Sequence, residues 1–241
     1  MHLNNTKPKN NSSLSSRENR KNKLFALTLV PLFTVLMIVS AKIVIPVPVI
    51  PITLQVTVAI MSGLLLGARL GFLSQLLYLF MGLMGLPVFA RGGGIGYVVT
   101  GSFGYLVGFA FCALIGGILA DILDKRTNKV RVSYVRILLI SFTALIVCYL
   151  FGITYLYFLS NFYTGFAGTK YSLMTTLAYG AIPFIGKDIL LCILAAELTR
   201  RLWRFRFRAV PVRNRDYKET APADAAEAIQ TVSGPADAVE N

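Results

Sequence analysis

Apolar residues in this chain come in long blocks, and most charged residues fall in the gaps between them. Blocks of this length are the pattern of membrane-crossing helices, because ~20 apolar residues at ~1.5 Å each span the hydrocarbon core. The first block covers Leu24 to Ile45. It is too long for the core of a cleaved signal, so an uncleaved helix is predicted. Pro46, Pro48 and Pro51 follow. Proline fixes φ and removes a donor, which predicts a helix exit and an extended loop. From Leu54 to Ala90 the single charge is Arg69. One helix of that length would reach about 55 Å, so two are predicted, turning at Gly67-Ala-Arg-Leu-Gly71. Further blocks run from Phe103 to Leu123, Ile137 to Leu159 and Leu173 to Leu198, the last interrupted by Gly180 and Pro183. The expected fold is therefore all-α: a polytopic membrane protein with six transmembrane helices.

Charge supports that count and orients it. Of the 24 Lys and Arg residues, twenty fall in alternate segments: the head, the Arg69 turn, the loop after the fourth block and the tail. The intervening segments hold Arg91 and Lys170, while Lys42 and Lys187 lie within or at the ends of blocks. Cytoplasmic segments collect Lys and Arg, so both termini are expected in the cytoplasm. Residues 1–23 are polar and aperiodic and read as a disordered head. The membrane domain covers 24–200, and 201–241 form a basic juxtamembrane segment with a disordered tail.

Composition excludes several function classes. A net charge of +13 would suggest nucleic acid in a soluble protein, but here it sorts by membrane side. The tail's Arg200, Arg201, Arg204, Arg206 and Arg208, interleaved with Trp203, Phe205 and Phe207, read as a belt facing membrane lipid. Cys112, Cys148 and Cys192 lie in apolar blocks and read as small buried hydrophobes. The only histidine is His2, so neither a metal site nor a histidine-based catalytic set is expected, and no cofactor is implied. Gly180 to Asp188 has the wrong spacing for a phosphate loop, so ATP hydrolysis by this chain is not expected. Glu197 is expected to pair with Arg200 and Arg201, and Asp121 and Asp124 with Lys125 and Arg126.

Two features carry functional chemistry. Asp188 lies inside the last apolar block, where an ionised carboxylate costs at least ~3 kcal/mol and needs a partner. That partner could be the adjacent Lys187, as a structural ion pair, or a polar ligand. The segment Gly85-Leu-Pro-Val-Phe-Ala-Arg-Gly-Gly-Gly-Ile-Gly-Tyr97 is the second feature. On the predicted topology it is external. Its glycines permit close approach to a ligand, or simply a turning connection. Tyr97 and Tyr105 are equally open between ligand contact and interface packing.

Together Val49-Ile-Pro-Ile-Thr-Leu-Gln55, Gly63-Leu-Leu-Leu-Gly-Ala-Arg-Leu-Gly71, Gly82-Leu-Met-Gly-Leu-Pro-Val-Phe89, Gly92 to Tyr97, Phe103-Gly-Tyr-Leu-Val-Gly-Phe109 and Pro183-Phe-Ile-Gly-Lys-Asp188 resemble the BioY family. These are the biotin-specific substrate-binding components of energy-coupling-factor transporters. The resemblance spans about residues 24 to 200. It implies a six-helix protein of the bacterial cytoplasmic membrane that takes biotin from outside. Its partners would be a transmembrane coupling subunit and two cytoplasmic ATPases. It places Thr53, Gln55, Gly92, Gly93 and Tyr97 at the site, with Asp188 accepting from the ureido ring. Lys187 or Arg91 would meet the biotin carboxylate. Two departures stand out: Leu191 occupies the place of the family's lysine three residues after the aspartate, and Lys187 precedes the aspartate instead. Other readings are a solitary biotin carrier, a transporter of a related vitamin, a lipid-headgroup enzyme and a structural scaffold.

Overall fold

In a computed structural model, the structure describes residues 11–46, 50–126, 133–163 and 172–203. All belong to one unit, residues 1–208; residues 209–241 form a separate one, outside the described residues. The other segments outside that description include the first ten residues, with His2, Lys170 and most of the charged loop after the fourth apolar block.

Seven α-helices carry the described fold: α1 (Asn11–Lys42), α2 (Gln55–Leu66), α3 (Ala68–Leu83), α4 (Phe103–Arg126), α5 (Tyr134–Phe162), α6 (Leu173–Gly180) and α7 (Ile182–Leu202). The predicted blocks map onto them in order, with four informative differences. Helix α1 begins at Asn11 rather than Leu24, so part of the polar head continues the helix. Extending a helix past an existing turn is cheap, whereas starting one is costly, and Arg, Glu and Lys are good helix formers. The turn in the second block is confined to Gly67, whose φ of 81° favours glycine, and α3 already starts at Ala68. Helix α3 also ends at Leu83, well short of Ala90, and hands over to a folded loop. The last block is two helices, α6 and α7, bent by 44° at Ala181. Pro183 in the first turn of α7 lacks the N–H that a continuous helix would require there.

By length and composition α4 and α5 can each cross a membrane, and α6 with α7 can do so as one bent span. Leu27–Lys42, Gln55–Leu66 and Ala68–Leu83 are shorter apolar helices. The side-chain distribution is that of a protein in lipid. Leu139, Ile146 and Leu150 of α5 are exposed, whereas Ser62, Ser74, Gln75 and Ser141 are buried. Buried hydroxyls and amides bond within the bundle: Thr34 to the Ser74 carbonyl at 3.0 Å and Gln75 to Ser62 at 3.1 Å.

Small residues hold α2, α3 and α4 together. A Cβ on Gly63 would lie 2.3 Å from the Ala113 carbonyl oxygen, and one on Gly117 2.4 Å from the Ala68 nitrogen. Such backbone proximity is how apolar helices gain packing energy where water supplies no driving force. The start of α3 is capped across this contact, since the Ala68 N–H donates to Asp121 Oδ2 at 3.2 Å. Asp121 thus serves a helix N-terminus on another element, a contact the sequence reading did not foresee. The side chains of Asp124, Lys125 and Arg126 lie outside the described residues. Glu197 pairs with Arg200 and Arg201 at 3.0 and 2.8 Å, as expected, and all three cysteines are free and buried.

These contacts give two expected outcomes. Gly63→Ala should push α2 from α4 and lower stability by about 1–3 kcal/mol. Asp121→Asn, which keeps the shape but loses the charge at the α3 terminus, should cost about 0.5–2 kcal/mol. Unfolding in detergent, followed by circular dichroism, checks both; an unchanged midpoint for Gly63→Ala would contradict the close α2–α4 approach.

Candidate functional site

The bent last span and the two loops at the same end of the bundle meet around one cavity. It is narrow and open at its mouth. Three kinds of element line it: the hairpin side with Pro51, Thr53 and Gln55, the glycine-rich loop with Ala90 and Tyr97, and helices α4, α5 and α7.

The hairpin consists of β1 (Val44–Ile45) and β2 (Ile52–Thr53), paired antiparallel with Val44 opposite Thr53 and Ile45 opposite Ile52. This short ladder carries Thr53 back to the start of α2. There the Thr53 hydroxyl donates to Gln55 Oε1 at 3.0 Å, and Gln55 Nε2 donates to the Tyr78 hydroxyl at 2.8 Å. Tyr78 in turn donates to the Val88 carbonyl at 3.4 Å. Gln55 is buried, so its amide must find partners inside, and it ties the hairpin to α3 and the next loop.

The glycine-rich loop is folded around a phenylalanine. Phe89 is fully buried, and a Cβ on Gly82 would lie 2.0 Å from its ring. Tyr78 meets Phe89 edge-on at 5.4 Å, and Tyr97 packs against its other side at 4.6 Å. The Phe89 N–H donates to the Gly92 carbonyl at 2.8 Å, and the Gly94 N–H to the Gly82 carbonyl at 2.7 Å. Lys42, at the end of α1, donates to the Phe89 carbonyl at 3.0 Å. Gly92 and Gly94 have φ near 115° and 104°, and a Cβ on Gly93 would strike the Leu86 carbonyl oxygen at 2.0 Å. These glycines shape the loop. Arg91, Gly92 and Gly93 are not among the cavity-lining residues, whereas Ala90, Tyr97 and Ser102 are.

Asp188 lies on the inner wall, 6% exposed, in the second turn of α7. Tyr149 of α5 donates to its Oδ2 at 2.6 Å. Lys187 Nζ stands 2.6 Å from Oδ1 and donates to the Thr53 carbonyl at 2.9 Å. The Lys187–Asp188 contact is an ion pair without hydrogen-bond alignment, and Oδ1 accepts no hydrogen bond among the described residues. Neighbouring positions on a helix point about 100° apart, and the long lysine stem bridges that angle. Tyr105 of α4 donates to the Gly180 carbonyl at 2.7 Å, an acceptor freed where α6 breaks.

Of the residues the sequence singled out, Asp188, Lys187, Thr53, Gln55 and Tyr97 converge on this cavity. Tyr105 joins them, with its hydroxyl committed to the α6 break. Sequence reasoning missed Tyr149 and Ser102. Tyr149 carries no motif; its one signal is that a tyrosine in an apolar block needs a hydrogen-bond partner. Chemically, the site offers a buried acceptor beside a cation, walled by Val56, Phe109, Leu145 and Phe184. Such a site suits a neutral ligand group that both donates and accepts hydrogen bonds.

Comparison with known proteins gives the family. A probable biotin transporter BioY of Lysinibacillus sphaericus is 37% identical over 185 residues, covering 77% of this chain and 90% of the relative. The biotin transporter BioY of Thermotoga maritima is 33% identical over 71% of this chain and 91% of its own length. A solved structure, the S-component for biotin from an ECF-type ABC transporter, superposes with a TM-score of 0.65 at 28% identity, covering 76% of this chain and 93% of that one. The BioY family model matches residues 11–208, and the chain therefore belongs to the BioY family.

Proposed function

We propose that this chain binds biotin at the outer face of a bacterial cytoplasmic membrane. It releases the vitamin inward as the substrate-specific subunit of an energy-coupling-factor transporter. The observation that carries this reading is the buried Asp188, paired with a half-buried Lys187, at the inner wall of a cavity lined by two loops. The names of its relatives and of its structural neighbour support the same substrate.

The chemistry of biotin fits the geometry. Its ureido ring presents N–H donors next to a carbonyl acceptor. Asp188 accepts the N–H, and Lys187 donates to the carbonyl, so the charged pair reads donor and acceptor together. The ligand carboxylate lies at the far end of a flexible chain, too distant to reach Lys187 at the same time. Arg91, next to the cavity-lining Ala90, is the cation we assign to it, in place of the family lysine that Leu191 replaces. Thr53, Gln55 and Tyr97 form the walls that hold the rings. Gly92 and Gly93 contribute by giving the loop its path over the mouth.

The membrane arrangement is part of the proposal. Helices α1 to α5 and the bent pair α6–α7 make six crossings, with both termini in the cytoplasm, as the distribution of Lys and Arg supports. At ~1.5 Å per residue, the 12 residues of α2 cover about 18 Å, so this crossing relies on burial among its neighbours and on local thinning of the bilayer. Residues 24–200 constitute the membrane domain and 201–241 the cytoplasmic tail, whose arginines face lipid. A transmembrane coupling subunit and two ATPases supply the energy.

Calorimetric titration of biotin into the purified chain in detergent, with riboflavin and thiamine as controls, tests the substrate. Binding of biotin alone is expected. Asp188→Asn should weaken it by about 10- to 100-fold, the cost of losing a charge-assisted hydrogen bond. Equal binding by Asp188→Asn would support a scaffold role for the pair instead. In cells lacking other biotin uptake, this chain with a coupling module should import labelled biotin. Import by the chain alone at the same rate would favour a solitary carrier.

A further inference from the structure

A carboxylate recognises a ligand only if its open lone pairs face the cavity. Tyr149 fixes this property of Asp188. Its hydroxyl donates to Oδ2 at 2.6 Å. Its ring is steadied by Tyr105, which meets it edge-on at 6.2 Å and 87°. Tyr105 is itself anchored through its hydroxyl to the Gly180 carbonyl at 2.7 Å. All three side chains line the cavity. The second carboxylate oxygen, Oδ1, is buried and accepts no hydrogen bond among the described residues.

We propose that Tyr149 is the positioning residue of the site. By occupying Oδ2 it stops the carboxylate from rotating and leaves Oδ1, flanked by Lys187, to receive a ligand N–H. The inference rests on the reading of Asp188 as the acceptor for a cyclic urea. It also explains selectivity. With Oδ2 taken by Tyr149, a ligand that presents an acceptor at Oδ1 meets a lone pair where a donor is needed and is disfavoured.

Calorimetry on the full chain and its variants tests this. Tyr149→Phe removes one oxygen and should weaken biotin binding by about 10-fold or more. In the Asp188→Asn background the same change should make less than about a twofold difference, because the two residues act as one unit. A biotin methylated at both ureido nitrogens, which cannot donate to Oδ1, should bind Tyr149→Phe and the unaltered chain equally. Losses that multiply in the double variant, or an equal loss for both ligands, would reduce Tyr149 to a packing residue and overturn the proposal. So would full affinity in Tyr149→Phe. Fluorinated tyrosine at position 149 keeps the ring and fold while altering donor strength; it should change biotin affinity without moving the unfolding midpoint, and an unchanged affinity overturns the proposal independently. If the unaltered chain binds no biotin, the reading of the site falls and this inference with it. If it binds biotin while Tyr149→Phe matches it, only the inference falls.

Discussion

A carboxylate buried among apolar helices has to be compensated where it lies, and Asp188 obliges two other elements to come to it. Tyr149 reaches it from α5, and Lys187 lies beside it on α7 while bonding the Thr53 carbonyl at the end of the hairpin. Removing one member of such a buried set costs about 3–5 kcal/mol, because the remaining charge keeps its desolvation penalty without its partner. The hairpin, α5 and α7 are thereby held around a common point. The same groups that stabilise this junction are the ones a ligand would address.

The rest of the bundle is arranged so that this junction can form. Helices α2, α3 and α4 approach through glycines until backbone meets backbone, and the Asp121 cap secures the turn between α2 and α3. That compact wall supports Gln55 and Tyr78, which link the hairpin to the glycine-rich loop. On the opposite side, the break at Ala181 lets α7 start near the cavity, with Asp188 in its second turn. Tyr105 satisfies the carbonyl that the break exposes and at the same time supports Tyr149. A feature that would be a defect in a plain span is used here to build a site.

How much of this was legible in the sequence depended on the range of the interaction. Helix order, the Gly67 turn and the division at Gly180 and Pro183 follow from local chemistry: apolar runs, glycine torsions and a missing donor. Asp188 announced itself because a charge in an apolar block has few bland explanations. Tyr149 did not, because its partner lies 39 positions away and nothing near it in the chain marks the pairing. The contact of Asp121 with the Ala68 N–H is hidden for the same reason: it becomes visible only once α3 and α4 are packed. The glycines of the loop point to close approach or to turning, whereas its shape is set by Phe89, a residue with no polar signal at all.

The seating of Phe89 has a consequence for the surroundings in which the loop can work. A loop packed beside a small cavity can be fastened by sulfur–sulfur links, which tie its integrity to the redox state of the medium. Here an aromatic ring lodged against Gly82, a lysine on the main chain and a few amide bonds hold it, and Cys112, Cys148 and Cys192 are buried as free thiols. The described part of this loop is therefore held without any sulfur link. How that loop is held then does not vary with the redox state of the medium around it, whichever side of the membrane it faces.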